Sequence, residues 1–200
     1  LNLCIFVVSY FDYQAGMNRA SRTIGVNGPN VCVVGFGGWG IGGETQGDTS
    51  YGETDDDLSK ITIKHALAQG INFFDTSPAY GDGRSEAILG EVLEPVRSHV
   101  KIATKVGYTS WTARPDFSEA GINASLEQSR ERLRTNFVDI VWLHSPEIDI
   151  LLQNNEAFAT LDKLQSEKKI GLWGVSCKSP QDGMKLLEKR PIDALMVNFN

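Results

Sequence analysis

The sequence predicts an α/β fold in which strands and helices alternate around a parallel sheet, as in the (β/α)8 TIM barrel. From Val31 onward, short runs rich in β-branched residues alternate with longer amphipathic stretches, which is the pattern of repeated strand–helix units. One of the short runs, residues 138–144, is almost continuously apolar, as expected of a strand that is covered on both faces. The two patterns together predict a buried parallel sheet.

A short hairpin is predicted to precede the sheet, because Asn27 and Gly28 form a strong turn signal within residues 24–30. Six sheet strands follow in chain order, at residues 31–35, 71–75, 100–105, 138–144, 170–176 and 192–197. The chain therefore contains about five complete strand–helix units and a sixth strand.

Five helices are predicted between the strands. The first begins near Thr54, which has Asp57 three residues later in a capping arrangement, and it ends before Gly70. Its apolar face is expected to consist of Leu58, Ile61, Ala66 and Leu67. The next three helices are predicted at residues 85–96, 122–134 and 155–168. The last begins after Ser179, a predicted cap that is followed by Pro180.

A closed barrel of this type needs eight strand–helix units and usually about 250 residues, so this chain of 200 residues is predicted to form an incomplete barrel. An open, doubly wound sheet is the alternative, and it would require no missing strands. Its phosphate-binding signature, GxGxxG with an acid about 20 residues later, is absent, since the glycines here follow the pattern GFGGWG. We expect one barrel domain over residues 17–200, with residues 1–16 as an upstream extension or a non-native leader.

Composition and charge favour a globular domain whose partner is a small molecule. The formal net charge is −6 and the basic residues are scattered, so no surface for nucleic acid or for an anionic membrane is predicted. Cys4, Cys32 and Cys177 form no CxxC motif and have no nearby histidine pair, so they indicate neither a disulfide framework nor a metal site. They favour a reducing, cytoplasmic setting.

Four polar residues are predicted to meet at one end of the barrel. Asp75 ends the second strand and Tyr80 follows in its loop, while Lys105 and His144 end the third and fourth strands. The carboxyl ends of barrel strands share the face where chemistry is expected. Each residue alone has a structural explanation, such as a capped turn, loop packing, a strand-end amine or a hydrogen-bonded edge histidine. Their convergence on one pocket favours a functional site.

These side chains suit the reduction of a carbonyl. A buried Lys105 needs a counter-charge, which Asp75 on the neighbouring strand could supply. A cation beside Tyr80 would lower the phenol's pKa from about 10 and make it a usable proton donor. A neutral His144 could orient the substrate carbonyl through a hydrogen bond. Since side chains supply no hydride, a nicotinamide cofactor is implied.

Five separated segments resemble the aldo-keto reductase family in order and spacing: GFGGWGIGG, GINFFDTSPAYGDGRSE, IATKVG, SRERLRTNFVDIVWLH and IGLWGVS. The resemblance covers most of residues 24–200, and DTSPAYGDGRSE is its most specific block. It implies a (β/α)8 barrel and reversible, NADP(H)-dependent reduction of an aldehyde or ketone. The family's catalytic tetrad then corresponds to Asp75, Tyr80, Lys105 and His144, with Tyr80 as the general acid.

The resemblance also implies binding residues. Four residues would contact the cofactor: Gly37, Gly38, Asp75 and Ser176. Ser176 would bind the nicotinamide carboxamide, and Trp39 and His144 would contact the substrate. Apart from the resemblance, loop geometry explains the two glycines, and a core or rim position explains Trp39.

Two positions depart from the family's common pattern near the predicted nicotinamide site. Cys177 stands where the family commonly has Asn, and Met196 where it commonly has Gln. The segments after strands seven and eight, which bind the adenosine phosphate in the family, are not part of this sequence. Three alternatives remain open: a Schiff-base aldolase that uses Lys105, a nicotinamide-binding regulatory subunit, and an inactive fragment.

Overall fold

A parallel sheet of six strands forms the centre of the fold in the computed structural model, which describes residues 20–25, 27–45, 50–153 and 155–198. A two-stranded hairpin precedes it, β1 (Ser21–Thr23) and β2 (Asn30–Cys32). The sheet strands lie side by side in chain order: β3 (Phe36–Gly37), β4 (Phe73–Asp75), β5 (Lys101–Val106), β6 (Val138–His144), β7 (Ile170–Ser176) and β8 (Ala194–Met196). Every neighbouring pair is parallel. This order is that of an incomplete (β/α)8 barrel, as predicted, because a doubly wound sheet reverses its strand order at a switch point.

The described helices lie between the strands: α1 (Asp56–Ala68), α2 (Arg84–Leu93), α3 (Glu119–Arg132), α4 (Ile148–Gln153), α5 (Glu156–Ser166) and α6 (Pro180–Leu187). Two 3-10 segments, Gly38–Ile41 and Glu94–His99, follow β3 and α2. The side chains of Asp55, Ser118 and Ser179 cap α1, α3 and α6 by accepting backbone N–H hydrogen bonds. No helix in these ranges is long and apolar enough to cross a membrane.

The prediction of a first sheet strand at residues 31–35 is wrong. Val31 and Cys32 pair antiparallel with Arg22 and Ser21, so this β-branched run completes the predicted hairpin. Val34 is exposed, and the first sheet strand is the short β3 that follows. The backbone of Val31 and Cys32 forms its strand hydrogen bonds with β1, the segment just before it in the chain, so this run does not pair with the sheet.

Helix α1 presents only part of the predicted face to the core, namely Ala66 and Leu67, and its cap is Asp55, not Thr54. Leu58 and Ile61, which were expected to face the core, are 62% and 61% exposed. Ile63 instead lies in the core cluster between the helices and the sheet. The error arises because apolar residues occur on more than one face of this helix.

The remaining elements agree with the predictions apart from their ends. Strands β6 and β7 have the predicted bounds, while β8 is shorter than residues 192–197. Helix α4, six residues long, was not predicted. Its few residues give too little periodicity to distinguish a helix from a loop.

The core is divided between the two faces of the sheet. Two clusters contain residues from the sheet and from the helices that cover it. A third cluster contains no residue of a described helix, and its buried members are Val31, Phe73, Ala103, Ile140, Trp142 and Met196. This third cluster therefore marks the face of the sheet that the helices do not cover, which is the interior of the barrel.

Candidate active site

Strand periodicity brings the predicted catalytic residues to the barrel interior. Phe73, Ala103 and Trp142 belong to the interior cluster, and two residues further along the same strands stand Asp75, Lys105 and His144. Side chains two residues apart on a strand point to the same face. Three of the four predicted catalytic side chains thus share the interior face at the carboxyl ends of neighbouring strands.

Lys105 and Asp75 form a buried ion pair. The Lys105 Nζ atom lies 2.5 Å from Asp75 Oδ1 and also donates a hydrogen bond to the Thr76 carbonyl oxygen at 2.8 Å. The second carboxylate oxygen of Asp75 accepts a hydrogen bond from Trp142 Nε1 at 3.1 Å. Burial lowers the pKa of Lys105, but Asp75 and the Tyr80 hydroxyl raise it more, so the net pKa lies above its ordinary value. Lys105 is therefore a fixed positive charge.

Tyr80 lies directly against this charge. The Lys105 Nζ atom is 4.7 Å from the centre of the Tyr80 ring, and the Tyr80 hydroxyl is among the groups that raise the pKa of Lys105. The loop after β4 thus carries the phenol back over the end of β5, and all four predicted catalytic residues are brought together.

Two glycines fix the loop that carries Tyr80. A Cβ on Gly42 would lie 2.8 Å from the Tyr80 backbone, and one on Gly81 would overlap the Gly42 carbonyl. Gly81 also has a φ of +64°, in the left-handed region that favours glycine. The backbone on both sides of the phenol is therefore held by a contact that only glycine permits.

His144 is buried as a neutral imidazole. Burial is the main cause that lowers its pKa, the charge of Lys105 adds to it, and the pKa falls to about 3. The Nδ1 atom lies 3.3 Å from the Ser77 hydroxyl. Ser77 Oγ in turn accepts the Ala79 N–H at 3.2 Å. The expectation of a neutral histidine agrees with this environment.

Aromatic side chains surround the tyrosine and the histidine. Trp39 stacks on Tyr80 with ring centres 5.9 Å apart. Trp111 lies 6.4 Å from the Tyr80 ring and 5.2 Å from the His144 ring, and Tyr108 lies 5.6 Å from His144. Trp39 thus lies beside Tyr80. The loop after β5 supplies an additional aromatic wall.

The two predicted cofactor glycines have different surroundings. A Cβ on Gly37 would meet no other atom within 4 Å, so the backbone there is open to an approaching group. A Cβ on Gly38 would lie 2.6 Å from Ser85 Oγ and 3.0 Å from the Asp75 carbonyl oxygen. Packing within the protein therefore explains the glycine at position 38 without a cofactor.

Ser176 ends β7 directly beside His144 in the strand register, and Met196 lies opposite Ser176 on β8. Met196 belongs to the interior cluster, whereas Cys177 belongs to the outer cluster beneath the helices. Cys177 therefore faces away from the interior, and burial raises its pKa to about 11. Across the described ranges, no group of histidine, cysteine and acidic residues is arranged to hold a metal ion.

Several residues of the site were missed in the sequence. Trp142 binds Asp75, Ser77 contacts His144, and Trp111 and Tyr108 complete the aromatic wall. A signal existed for the last two, because their loop follows Lys105 and loops after barrel strands line the active face. No local pattern marks Trp142, whose role depends on strand register.

An ion pair, a phenol and a buried imidazole thus meet at the carboxyl ends of parallel barrel strands, the face on which barrel enzymes carry their active sites. The aldo/keto reductase family model matches residues 33–200, and the chain belongs to this family. Members of this family are oxidoreductases that act on carbonyl groups, and its solved members are (β/α)8 barrels. The fold expectation and the resemblance are both confirmed.

Individual relatives agree with this assignment. L-galactose dehydrogenase of Arabidopsis thaliana is 36% identical over 159 residues, which are 78% of this chain and 47% of that protein. The holo form of aldo-keto reductase AKR11C1 from Bacillus halodurans has a TM-score of 0.75 at 26% identity, covering 89% of this chain and 57% of that one. An aldo/keto reductase from Klebsiella pneumoniae, solved with NADP and acetate, has a TM-score of 0.65 at 25% identity, covering 84% and 55%. The chain spans about half the length of the curated relatives it matches.

Proposed function

We propose that this chain carries the catalytic face of an NADP(H)-dependent reductase that converts an aldehyde or ketone into an alcohol, reversibly, with Tyr80 as the proton donor. The main support is the Lys105 ammonium group, which lies 4.7 Å from the centre of the Tyr80 ring and 2.5 Å from Asp75. An ammonium group beside a phenol stabilises the phenolate that remains when the phenol gives up its proton. A phenol in this setting is suited to protonate a carbonyl oxygen.

Asp75 acts on Lys105 rather than on the substrate. A buried amine without a counter-charge would tend to lose its proton, and the carboxylate prevents this. Hydrogen bonds from Lys105 to the Thr76 carbonyl and from Trp142 to Asp75 fix the positions of the ammonium and carboxylate groups. Lys105 therefore remains charged whenever Tyr80 donates its proton.

His144 orients the substrate carbonyl. Ser77 Oγ accepts the Ala79 N–H, so its own hydrogen is available for Nδ1 of His144. A neutral ring that accepts at Nδ1 carries its hydrogen on Nε2. We propose that this N–H donates to the same carbonyl oxygen that receives the Tyr80 proton, which fixes the carbonyl between the two groups.

Gly37 and Ser176 fit a nicotinamide cofactor. The space beside Gly37 is open, and Ser176 ends the strand next to His144; Gly38 and Asp75 adjoin the same end of the sheet. The cofactor, when bound, supplies the hydride that reaches the carbonyl carbon. We propose NADP because the Klebsiella pneumoniae relative was solved with it.

The alternative Schiff-base chemistry is weaker. A lysine that attacks a carbonyl must be a neutral amine. The pKa of Lys105 lies above its ordinary value because Asp75 and Tyr80 outweigh the effect of burial. The environment of this lysine therefore favours a fixed charge rather than a nucleophile.

We propose that the enzyme works on a small carbonyl or alcohol substrate in the cytoplasm. Cys32 and Cys177 are both free and buried. Free thiols are typical of a reducing compartment, which supports this location.

The test is Tyr80→Phe, with Tyr51→Phe as the matched control. Tyr51 is exposed and its ring lies tilted against Trp39 with ring centres 4.9 Å apart, and within the described residues no hydrogen bond or ring contact joins it to Lys105 or Asp75. We expect Tyr80→Phe to lower kcat by about 10²- to 10⁴-fold and to leave NADPH binding, measured by fluorescence titration, unchanged. Tyr51→Phe should retain turnover. Full activity in Tyr80→Phe would refute the proton-donor role, and NADPH binding by the unaltered protein without any turnover would favour the regulatory alternative.

A further inference from the structure

Two buried hydroxyl groups connect the turn that holds Lys105 with the turn that carries Trp39. Thr76 and Ser85 are fully buried, and their side-chain oxygens are 2.8 Å apart. Ser85 Oγ also lies 2.7 Å from the Gly38 carbonyl oxygen. The two hydroxyls therefore form a continuous hydrogen-bonded link between the end of β4 and the end of β3.

The direction of this link follows from the donors available. A carbonyl oxygen only accepts, so Ser85 must donate its single hydrogen to Gly38. Ser85 then has only acceptor positions left, and the Thr76 hydroxyl must donate to it. The hydrogen bonds run in one order, from Thr76 to Ser85 to Gly38, and every hydroxyl hydrogen in the link is used.

Both ends of the link reach the candidate site. The Thr76 N–H donates to the Ala103 carbonyl on β5, and the Thr76 carbonyl accepts the hydrogen bond from Lys105 at 2.8 Å. At the other end, Gly38 directly precedes Trp39, whose ring stacks on Tyr80. The hydroxyls thus join the turn that holds the charge to the turn that holds the aromatic wall.

The link also accounts for Gly38. A Cβ at this position would lie 2.6 Å from Ser85 Oγ, closer than real Cβ atoms approach, and 3.0 Å from the Asp75 carbonyl. Any other residue would push Ser85 away from the Gly38 carbonyl. A small residue at 38 and a hydroxyl at 85 therefore belong to one arrangement.

We propose that Thr76 and Ser85 are positioning residues that set the spacing between the Lys105–Tyr80 proton donor and the Trp39 wall of the substrate pocket; this inference depends on the function proposed above. Neither side chain contacts the reacting atoms. Removing the Ser85 hydroxyl breaks both hydrogen bonds of the link, the one to the Gly38 carbonyl and the one from the Thr76 hydroxyl. Removing the Thr76 hydroxyl leaves the bond from Ser85 to Gly38 intact, so its effect is smaller.

Steady-state kinetics with NADPH and an aldehyde test the inference. We expect Ser85→Ala to raise KM about 10-fold while kcat falls less than about 3-fold, since the substrate wall moves more than the proton donor. Thr76→Val should raise KM less, and Thr76→Ser, which keeps the hydroxyl, should restore values close to those of the unaltered protein. Equal KM values in Ser85→Ala and the unaltered protein would overturn the proposal.

Matched controls separate positioning from a general loss of buried hydroxyls. Ser59 is buried and its Oγ donates to the Asp55 carbonyl at 2.8 Å, and Thr160 is buried and donates to the Glu156 carbonyl at 2.9 Å. Both lie in helices away from the site. Ser59→Ala and Thr160→Val should lower stability without changing KM. If these controls raise KM as much as Ser85→Ala does, the role of Ser85 is merely structural.

A second measurement does not depend on turnover. With tryptophan replaced by fluorotryptophan, fluorine NMR gives a separate signal for each indole, assigned by Trp→Phe variants. We expect Ser85→Ala to shift or broaden the Trp39 signal and to leave that of Trp173 unchanged. An unchanged Trp39 signal would overturn the proposal. If the unaltered protein reduces no carbonyl but the Trp39 signal still shifts, the proposed function fails and the hydroxyl link stands.

Discussion

Two of the ionic sites beside β5 lie on opposite faces of this strand, and only one of the two has the features of an active site. On the interior face, Lys105 binds Asp75. On the outer face, Thr104 donates to Glu86 at 2.5 Å, and Glu86 also accepts a hydrogen bond from Arg132 at 2.7 Å. Each carboxylate is thus bound by one cation and one neutral donor, and Glu86, the one on the outer face, is the more deeply buried of the two. Burial of an ion pair alone therefore does not distinguish catalysis from structure.

The difference lies in what surrounds each pair. The Lys105 ammonium faces a phenol, and the site continues to the open backbone of Gly37. The outer pair instead joins α2 to α3, and Arg132 packs so closely against the start of α2 that a Cβ on Gly83 would lie 2.7 Å from Arg132 Cδ. A rigid guanidinium between two helices suits cross-linking, whereas a compact ammonium beside an ionisable group suits proton transfer. The neighbours of the pair decide its role.

Replacing each carboxylate by its amide tests whether the two ion pairs have different roles. Asp75→Asn removes the counter-charge of Lys105, and we expect kcat/KM to fall about 10³-fold because an organised charge is lost from the site. Without Asp75, burial lowers the pKa of Lys105, so the loss of activity at high pH should begin at a lower pH. A pH profile of kcat measures this. An unchanged profile would show that Asp75 does not maintain the lysine charge.

Glu86→Gln should have the opposite pattern. Arg132 would lose its partner within a packed interface, and we expect the free energy of unfolding to fall by about 3 kcal/mol. Urea denaturation measures this loss, while kcat per folded molecule and its pH profile should be unchanged. A shifted pH profile in Glu86→Gln would mean that the outer pair also influences the proton donor, and the distinction between the two faces would fail.

Histidine titration compares the interior with the surface. The folded pKa of His144 is about 3, below the ordinary value of 6.5, mainly because of burial. The unfolded chain therefore binds more protons at His144 between these pH values, and the contribution of His144 to stability is most favourable above pH 6.5 and is lost as the pH decreases. From about pH 8 to about pH 5 we expect a loss of about 2 kcal/mol. His144→Gln should remove this slope and His65→Gln, at an exposed position, should retain it; the same slope in both variants would contradict the burial of His144.

The sequence predicted the interior face better than the outer one, for a physical reason. Asp75, Lys105 and His144 end buried strands whose alternation fixes the direction of every side chain, and β6 and β7 have their predicted bounds. Helix α1 has apolar residues on more than one face, so Leu58 and Ile61 were assigned to the core in error. Apolar periodicity is ambiguous when the protein leaves part of an apolar helix exposed.

Contacts between distant segments could not be predicted. The bond from Trp142 to Asp75 spans 67 positions and the bond from Arg132 to Glu86 spans 46. Each depends on the register of neighbouring strands or on how two helices cross. Even the resemblance to a family, which matches the four catalytic candidates to the family's tetrad, did not reveal that Gly38 is required by Ser85. Motifs name the reacting groups, while packing determines what holds them.

The smallest expected effect concerns two tryptophans, one on each face of the sheet. Trp111 contacts Tyr80 and His144 on the active face, whereas Trp173 packs against Phe158 in the outer core, with ring centres 5.8 Å apart. We expect Trp111→Leu to raise KM for an aromatic aldehyde about 5-fold, which corresponds to about 1 kcal/mol of lost ring contact, with little change in stability. Trp173→Leu should lower the free energy of unfolding and leave KM unchanged. A residue that contacts substrate affects binding, whereas a residue that only packs affects folding. If Trp111→Leu instead destabilises the protein at constant KM, the loop after β5 therefore belongs to the core rather than to the substrate pocket.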